Sequence, residues 1–193
     1  NQTLVKQINK SIVLDLIKNH APLSRADIAQ RSKLNKGTVS SLVSELIDEY
    51  LIIEVGPGES SGGRRPVLLH FNSNAGYTIG IDIGVNYLLG ILTDLKGNVL
   101  EQSYTQLIKT DYDQVLIKIN KTISSLYNKA PSSPYKIVGI GIGVPGIVDH
   151  HGFVLFAPNL EWHNRSLKAD LEATYHTPVH VENEANCGAY GEK

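Results

Sequence analysis

The sequence predicts two units of different fold class, an α+β unit over residues 1–72 and an α/β unit over residues 73–193. In the first unit, apolar residues recur at helical spacing and are followed by two short apolar runs that are typical of strands. In the second unit, hairpin patterns give way to alternating helices and strands, which indicates a mixed sheet. Residues 72–76, between the two patterns, are small and polar, as expected of a linker.

Composition and charge exclude several classes of protein. Of the 193 residues, 41% are apolar, which is enough for ordinary packed cores. No run is long and apolar enough to cross a bilayer, and the N-terminus lacks a signal-peptide pattern. A single cysteine, Cys187, excludes an internal disulfide, so we predict a cytoplasmic protein. The net charge is −1, yet residues 1–72 carry nine Lys and Arg against seven Asp and Glu, and residues 73–193 carry nine against twelve.

The first 20 residues predict an amphipathic helix, the usual first helix of a three-helix unit. Its apolar face collects Leu4, Ile8, Ile12, Val13, Leu16 and Ile17.

Residues 24–50 predict two further helices joined by a tight turn at residues 32–34. Ser24 is a good N-cap, and Asp27 places a carboxylate where it suits the helix dipole. Asn35 caps the second of these helices. The apolar residues of that helix recur at spacings of three, four, seven and eight, and they are Val39, Leu42, Val43, Leu46 and Ile47. This pattern indicates a helix-turn-helix.

The first turns of that second helix carry small or polar side chains beside one cation, namely Lys36, Thr38, Ser40 and Ser41. A helix that enters the DNA major groove needs such residues, because bulky apolar side chains would collide with base edges.

Two predicted strands follow, at residues 51–55 and 66–71, separated by a flexible tip that ends in Arg64 and Arg65. A hairpin after the recognition helix is the arrangement of a winged helix, and the paired arginines suit phosphate or a narrow minor groove. We predict DNA binding, since cations fall on both the helix and the wing. The alternative is a winged helix that serves only protein contacts.

The second unit begins with three strands in a meander of antiparallel hairpins. An amphipathic helix, a glycine-rich buried strand, a short helix, another strand and the start of a helix follow. The predicted strands cover residues 77–84, 87–94, 99–107, 137–144 and 179–181, and the helices begin at residues 111, 166 and 183.

Three motifs of this unit carry polar groups at strand ends, and each also has a structural explanation. The first, Gly-Ile-Asp-Ile-Gly at residues 80–84, allows a close approach of phosphate and a hydrated Mg²⁺, but it is also a common turn. The second, at residues 141–149, runs from a strand into a Pro-Gly turn. The third, at residues 181–186, brings two carboxylates and two amides to a helix N-terminus, where they suit sugar hydroxyls or simply cap the helix.

The order and spacing of these motifs behind a winged helix resemble those of the ROK family of repressors, open reading frames and sugar kinases. The Ser-Gly-Gly-Arg-Arg-Pro segment at residues 61–66 is similar to the wing of its repressor branch. The resemblance implies that residues 73–193 form the N-terminal lobe of an actin-like, sugar-kinase fold, with a sugar site facing a second lobe outside this sequence. The lack of methionine and the uncapped end at Lys193 also lead us to expect a longer natural chain.

The resemblance assigns sugar binding to Asn159, Asn183 and Glu184. Residues 158–162 are similar to the family segment after the Pro-Gly turn, and residues 183–184 match an Asn-Asp pair whose aspartate is the catalytic base in ROK kinases. Glutamate at the second position moves the carboxylate by about one bond length, and a misplacement of about 1 Å can cost ~100-fold in rate.

Asp82 and Gly84 match the start of the D-x-G-G-T phosphate motif of ROK kinases, which this sequence continues with Val85 and Asn86. Valine adds a β-branched side chain where a kinase leaves room for phosphate. We therefore expect a degenerate phosphate motif and no phosphoryl transfer, so the chain is predicted not to be an enzyme.

These features together predict a sugar-responsive transcriptional repressor. Its expected partners are operator DNA, a small sugar inducer (xylose or a similar sugar) and further copies of itself, in a homo-dimer or higher oligomer. No cofactor and no metal ligand are expected within these residues, whereas a structural zinc is expected in the second lobe. One alternative is an ATP-dependent sugar kinase with a DNA-binding appendage, and another is a constitutive DNA-binding protein whose kinase-like lobe serves only dimerisation.

Overall fold

The computed structural model describes residues 2–57, 66–108 and 111–184. The chain divides into two compact units, Asn1–Ala75 and Gly76–Lys193, so the division falls three residues beyond the expected one. Within the described ranges, no helix has the length and apolar character needed to cross a membrane.

The first unit contains three helices and one hairpin. The helices are α1 (Gln2–His20), α2 (Arg25–Ser32) and α3 (Lys36–Asp48), and the antiparallel strands are β1 (Ile52–Pro57) and β2 (Val67–Phe71). Leu23 pairs with Leu69 in a further backbone bridge, which joins the segment before α2 to the hairpin. The core of this unit comprises Val13, Ile17, Ile28, Val39, Leu42, Val43, Leu46, Ile52 and Leu69.

The N-terminal turns of α1 are less buried than their periodicity predicts. Val13 and Ile17 are buried, whereas Leu4 and Ile8 remain 56% and 51% exposed. The reason is length, because α1 has 19 residues and its neighbours α2 and α3 have 8 and 13. The early turns of α1 instead form an ion pair of 2.7 Å from Lys6 to α3, an exposed contact that adds little stability.

The second unit is built on a five-stranded mixed sheet with the order β10-β6-β3-β4-β5. Strand β3 pairs in parallel with β6 and antiparallel with β4, so the predicted meander and mixed sheet are both present. The strands are β3 (Tyr77–Ile83), β4 (Tyr87–Asp94), β5 (Val99–Gln106), β6 (Ile137–Val144) and β10 (Val179–Asn183).

One face of this sheet is covered by α4 (Tyr112–Lys129), whose side chains pack closely on β3, β4 and β5. At Gly90 the approach is so close that an added Cβ would lie 2.4 Å from Thr122 Cγ2. Residues of β3 alternate between buried and half-buried, so the opposite face of the sheet is the more accessible one.

The segment after β6 forms a second, three-stranded antiparallel sheet that the sequence pattern does not predict. Its strands are β7 (Ile147–Val148), β8 (Val154–Ala157) and β9 (Trp162–Arg165), and α5 (Leu167–Tyr175) follows. Trp162 is 1% exposed and meets the ring of Tyr112 edge-on at a centroid distance of 5.1 Å. This contact joins the small sheet to α4 and to the main core.

Candidate functional site

The helix-turn-helix is held by side-chain caps at both of its helix starts. Ser24 Oγ accepts the backbone N–H of Asp27 at 3.2 Å, and the Asp27 carboxylate accepts the backbone N–H of Ser24 at 2.9 Å, which completes a capping box. These hydrogen bonds from Ser24 hold the pKa of Asp27 below its ordinary value. Lys33 ends α2 in the left-handed region, with a φ of 59°, and so turns the chain into the next helix.

The predicted recognition residues lie at the start of α3. The side-chain oxygen of Asn35 accepts the backbone N–H of Thr38 at 2.8 Å and thereby caps the helix. Lys36, Ser40 and Ser41 are exposed, and Thr38 is half-buried. The opposite face of α3 is buried in the core, so these side chains are presented on a surface that the helix packing fixes. Arg64 and Arg65 lie outside the described residues.

The three polar motifs of the second unit meet at one edge of the main sheet. In the parallel register, Asp82 of β3 lies beside Gly143 of β6, which lies beside Glu182 of β10. The amide nitrogen of Asn183 donates to the carbonyl oxygen of Gly146 at 2.6 Å and so ties the end of β10 to the Pro-Gly turn. Carboxyl ends of parallel strands are where α/β sheets commonly bind ligands.

Asp82 is the central polar residue at this edge. Its Oδ2 accepts a hydrogen bond of 2.8 Å from the hydroxyl of Tyr87, while its Oδ1 is buried and has no hydrogen-bond partner within the described residues. The bond to Asp82, burial and the nearby carboxylates raise the pKa of Tyr87 to about 12, so its phenol is neutral at ordinary pH. A buried acceptor without a donor is rare and is a feature of sites that accept a ligand.

Glu184 follows β10 directly and shares a cleft of about 460 Å³ with Asp82. Gly143 lies between them, since the Cβ it lacks would be 3.4 Å from Asp82 Oδ1 and 3.6 Å from Glu184 Cα. Burial, and then the charge of Asp82, raise the pKa of Glu184. The other lining residues are apolar or glycine, apart from one histidine, and they are Gly80, Ile81, Leu89, Ile91, Gly141, Ile142 and His180.

The predicted sugar-binding residues are not all brought together. Glu184 lines the cleft, and Asn183 lies beside it at the end of β10. Asn159 lies in the short 3-10 turn Pro158–Leu160, is exposed, and is not among the residues that line the cleft. Within the described ranges, no group of three or more His, Cys, Asp and Glu side chains could hold a metal ion, and Cys187 lies outside those ranges.

Tyr87 is the site residue that sequence reasoning missed. The sequence places it at the start of a strand, five residues after Asp82, with no polar motif around it. A two-residue hairpin between β3 and β4 would have indicated that both side chains lie on one face.

Comparison with known protein families follows from this geometry. A model described as the ROK family matches residues 78–193, which is more than half of the chain. The chain belongs to the ROK family. A second model, described as a winged helix-turn-helix DNA-binding domain, matches residues 9–52. The predicted family and fold class are thereby confirmed.

Similar ROK proteins include both regulators and kinases. The xylose repressor of Bacillus subtilis is 45% identical over all 193 residues, and that of Caldicellulosiruptor bescii is 46% identical over an alignment of 195. The chain spans about half the length of the curated relatives it matches, covering 50% and 49% of these two.

Two solved ROK structures are similar to the chain. A ROK transcriptional regulator, a homologue of the Escherichia coli MLC protein, superposes on 93% of the chain and 46% of its own, with a TM-score of 0.71 and 30% identity. A ROK glucokinase from Streptomyces griseus, solved with glucose and AMPPNP, superposes on 61% of the chain and 36% of its own, with a TM-score of 0.55 and 31% identity.

Proposed function

We propose that this chain is part of a cytoplasmic, sugar-responsive transcriptional repressor that binds operator DNA and is released by xylose or a similar sugar. The observation that carries the proposal is the 45% identity to a xylose repressor along the whole chain, across both the winged helix and the ROK lobe. Kinases of the family alone would not account for the first unit, because the glucokinase match covers only 61% of the chain.

The DNA contact is assigned to the exposed start of α3. Lys36, Ser40 and Ser41 would meet phosphates or base edges in the major groove, with Thr38 beside them. Arg64 and Arg65 would add phosphate or minor-groove contacts from the wing. In a homo-dimer, two such units would occupy two operator half-sites, so the spacing between the units would decide whether both can bind.

The sugar contact is assigned to the edge of the main sheet, where Asn183 and Glu184 lie next to the Asp82 cleft. Amide and carboxylate groups can hydrogen-bond several hydroxyls without the precise alignment that catalysis needs. Asn159 would contribute only if a second lobe or the sugar brings it closer to the cleft. The sugar would release DNA by binding more tightly to an arrangement that misfits the operator, since only a difference in affinity can shift the equilibrium.

The test uses the full-length protein and fluorescent DNA from upstream of the sugar-utilisation genes beside its own gene. Titration at moderate salt should show tight binding, and xylose without ATP should abolish it, whereas other sugars such as glucose should act less. Lys36→Ala should weaken binding, and Lys121→Ala, which removes the same charge from the second unit, should not. Replacing Arg64 and Arg65 by Ala should flatten the salt dependence by about 0.9 in slope for each lost phosphate contact.

Each negative result in this test points to a different error. Absence of DNA binding at moderate salt would overturn the repressor proposal. Binding that no sugar releases would instead indicate a constitutive DNA-binding protein. An unchanged salt slope in the arginine variant would remove the wing from the DNA contact.

A second candidate function is an ATP-dependent sugar kinase with a DNA-binding appendage. The observation in its favour is the 31% identity to a glucokinase that was solved with AMPPNP. A coupled assay for sugar-dependent ADP release by the full-length protein separates the two. Release that depends on the sugar would support the kinase, and its absence alongside sugar-released DNA would support the repressor.

A further inference from the structure

The hairpin between β3 and β4 places an aromatic ring directly on the glycine that ends the first motif. The backbone N–H of Gly84 donates to the carbonyl oxygen of Tyr87 at 2.9 Å, which closes a two-residue loop. A Cβ added to Gly84 would lie 2.1 Å from Tyr87 Cε1 and 2.5 Å from Cδ1 and Cζ. The ring therefore occupies the space that the absence of a side chain at Gly84 leaves open.

Both ends of the Tyr87 side chain have partners that hold it there. Its hydroxyl donates to Asp82 Oδ2 at 2.8 Å. Its ring stacks on that of Tyr104 in β5, with a centroid distance of 6.0 Å and an angle of 13° between the planes. Leaving this position would break the hydrogen bond and the ring contact together, so Tyr87 is a fixed part of the site.

A glycine and an aspartate at a strand end are the two groups that a bound phosphate would use. The glycine lets phosphate oxygens approach backbone N–H groups, and the aspartate holds the accompanying metal ion. Here the ring of Tyr87 covers the glycine, and its hydroxyl takes one oxygen of Asp82.

From this geometry we infer that Tyr87 is a specificity-determining residue that keeps the phosphates of nucleotides away from Asp82 and Gly84. The inference rests on the proposed function, because it explains how a kinase-like lobe can bind a sugar and refuse ATP. It also replaces Val85 as the obstruction, since the valine side chain is 49% exposed and leaves the glycine uncovered.

Charge in the cleft acts in the same direction. Asp82 and Glu184 both face it, and no lysine or arginine is among the described residues that line it. The phenol of Tyr87 is neutral and offers a phosphate no positive charge. An anionic ligand would meet like charge at the one end of the cleft that carries polar groups, whereas a neutral, hydroxyl-bearing ligand would not.

The test is isothermal titration of the full-length protein with AMPPNP and Mg²⁺. The wild type and Tyr87→Phe, which keeps the ring, should show no binding at millimolar nucleotide. Tyr87→Ala should open the corner and bind with a Kd of about 1 mM or tighter. Circular dichroism and operator-DNA binding establish that each variant is folded, and Tyr87→Val, which suits a strand, replaces the alanine variant if that does not fold.

The outcomes separate this inference from the proposed function. Folded Tyr87→Ala or Tyr87→Val protein that still refuses AMPPNP would overturn the role of Tyr87 and leave the repressor proposal intact. Wild-type binding of AMPPNP without turnover would do the same. Sugar-dependent ADP release by the wild type would overturn the proposed function itself.

Discussion

The cap of the proposed recognition helix gives the sharpest link between a single side chain and DNA binding. Asn35 donates no packing, since it is exposed, and its contribution is the 2.8 Å hydrogen bond that it accepts from the backbone N–H of Thr38. Asn35→Ala removes that bond and leaves the amide to water. An N-cap lost in this way costs about 1 kcal/mol, which corresponds to roughly a fivefold increase in local opening of the first turn.

The assay is hydrogen exchange of the full-length protein, read by mass spectrometry on peptides that cover residues 34–40. A local measurement is needed because two compact units do not unfold as one transition. Asn35→Ala should exchange about fivefold faster there, with no change in peptides from the second unit. Asn35→Ser keeps a capping oxygen and should exchange like the wild type.

Asn35→Asp separates the stability of α3 from its contact with DNA. A carboxylate caps a helix as well as an amide does and suits the helix dipole, so exchange should stay slow. The added negative charge would lie beside the DNA phosphates, so operator binding should weaken. Unchanged exchange in Asn35→Ala would refute the capping argument, and unchanged operator binding in Asn35→Asp would place the DNA elsewhere.

Three further predictions concern stability. Trp162→Ala should lower the free energy of unfolding of the second unit by about 3–5 kcal/mol, because the side chain is 1% exposed and leaves a cavity; urea unfolding followed by far-UV circular dichroism measures it. Gly84→Ala should cost about 1–3 kcal/mol through overlap with the facing ring, whereas Gly141→Ala meets no atom within 4 Å and should leave the melting temperature nearly unchanged. The pKa of Asp27 is lowered in the folded state, so its stabilisation is present above its unfolded pKa of about 3.9 and is lost as pH falls through the lower folded value. Ser24→Ala should raise that pKa in a carboxyl NMR titration.

Local signals in the sequence predict the helices because the capping residues act over only three positions. Ser24, Asn35 and Asp111 each cap the helix that the sequence predicts, through hydrogen bonds to a backbone N–H three residues on. Periodicity likewise identifies the apolar face of α1. It does not indicate how far the neighbouring helices extend, and for that reason the exposure of Leu4 and Ile8 could not be foreseen.

The three-stranded sheet β7–β9 and the role of Tyr87 depend on contacts that no local pattern encodes. The strands have two to four residues, too few to show an alternation. Tyr87 reaches Asp82 only because the hairpin register puts the two side chains on one face of the sheet. The convergence of the three motifs was easier to predict, since parallel strands bring their carboxyl ends to one edge.

The same sheet edge can serve catalysis or sensing, because the backbone register that assembles it does not decide which ligand enters. Asp82 and Gly143 are neighbours in that register whatever side chain follows the hairpin. What differs is occupancy, since a ring over Gly84 removes the space for phosphate at the cost of one residue. A change of this kind leaves the strands and the core untouched. It therefore allows a lobe to lose nucleotide binding while the adjacent end of β10, with Asn183, keeps its geometry for a sugar.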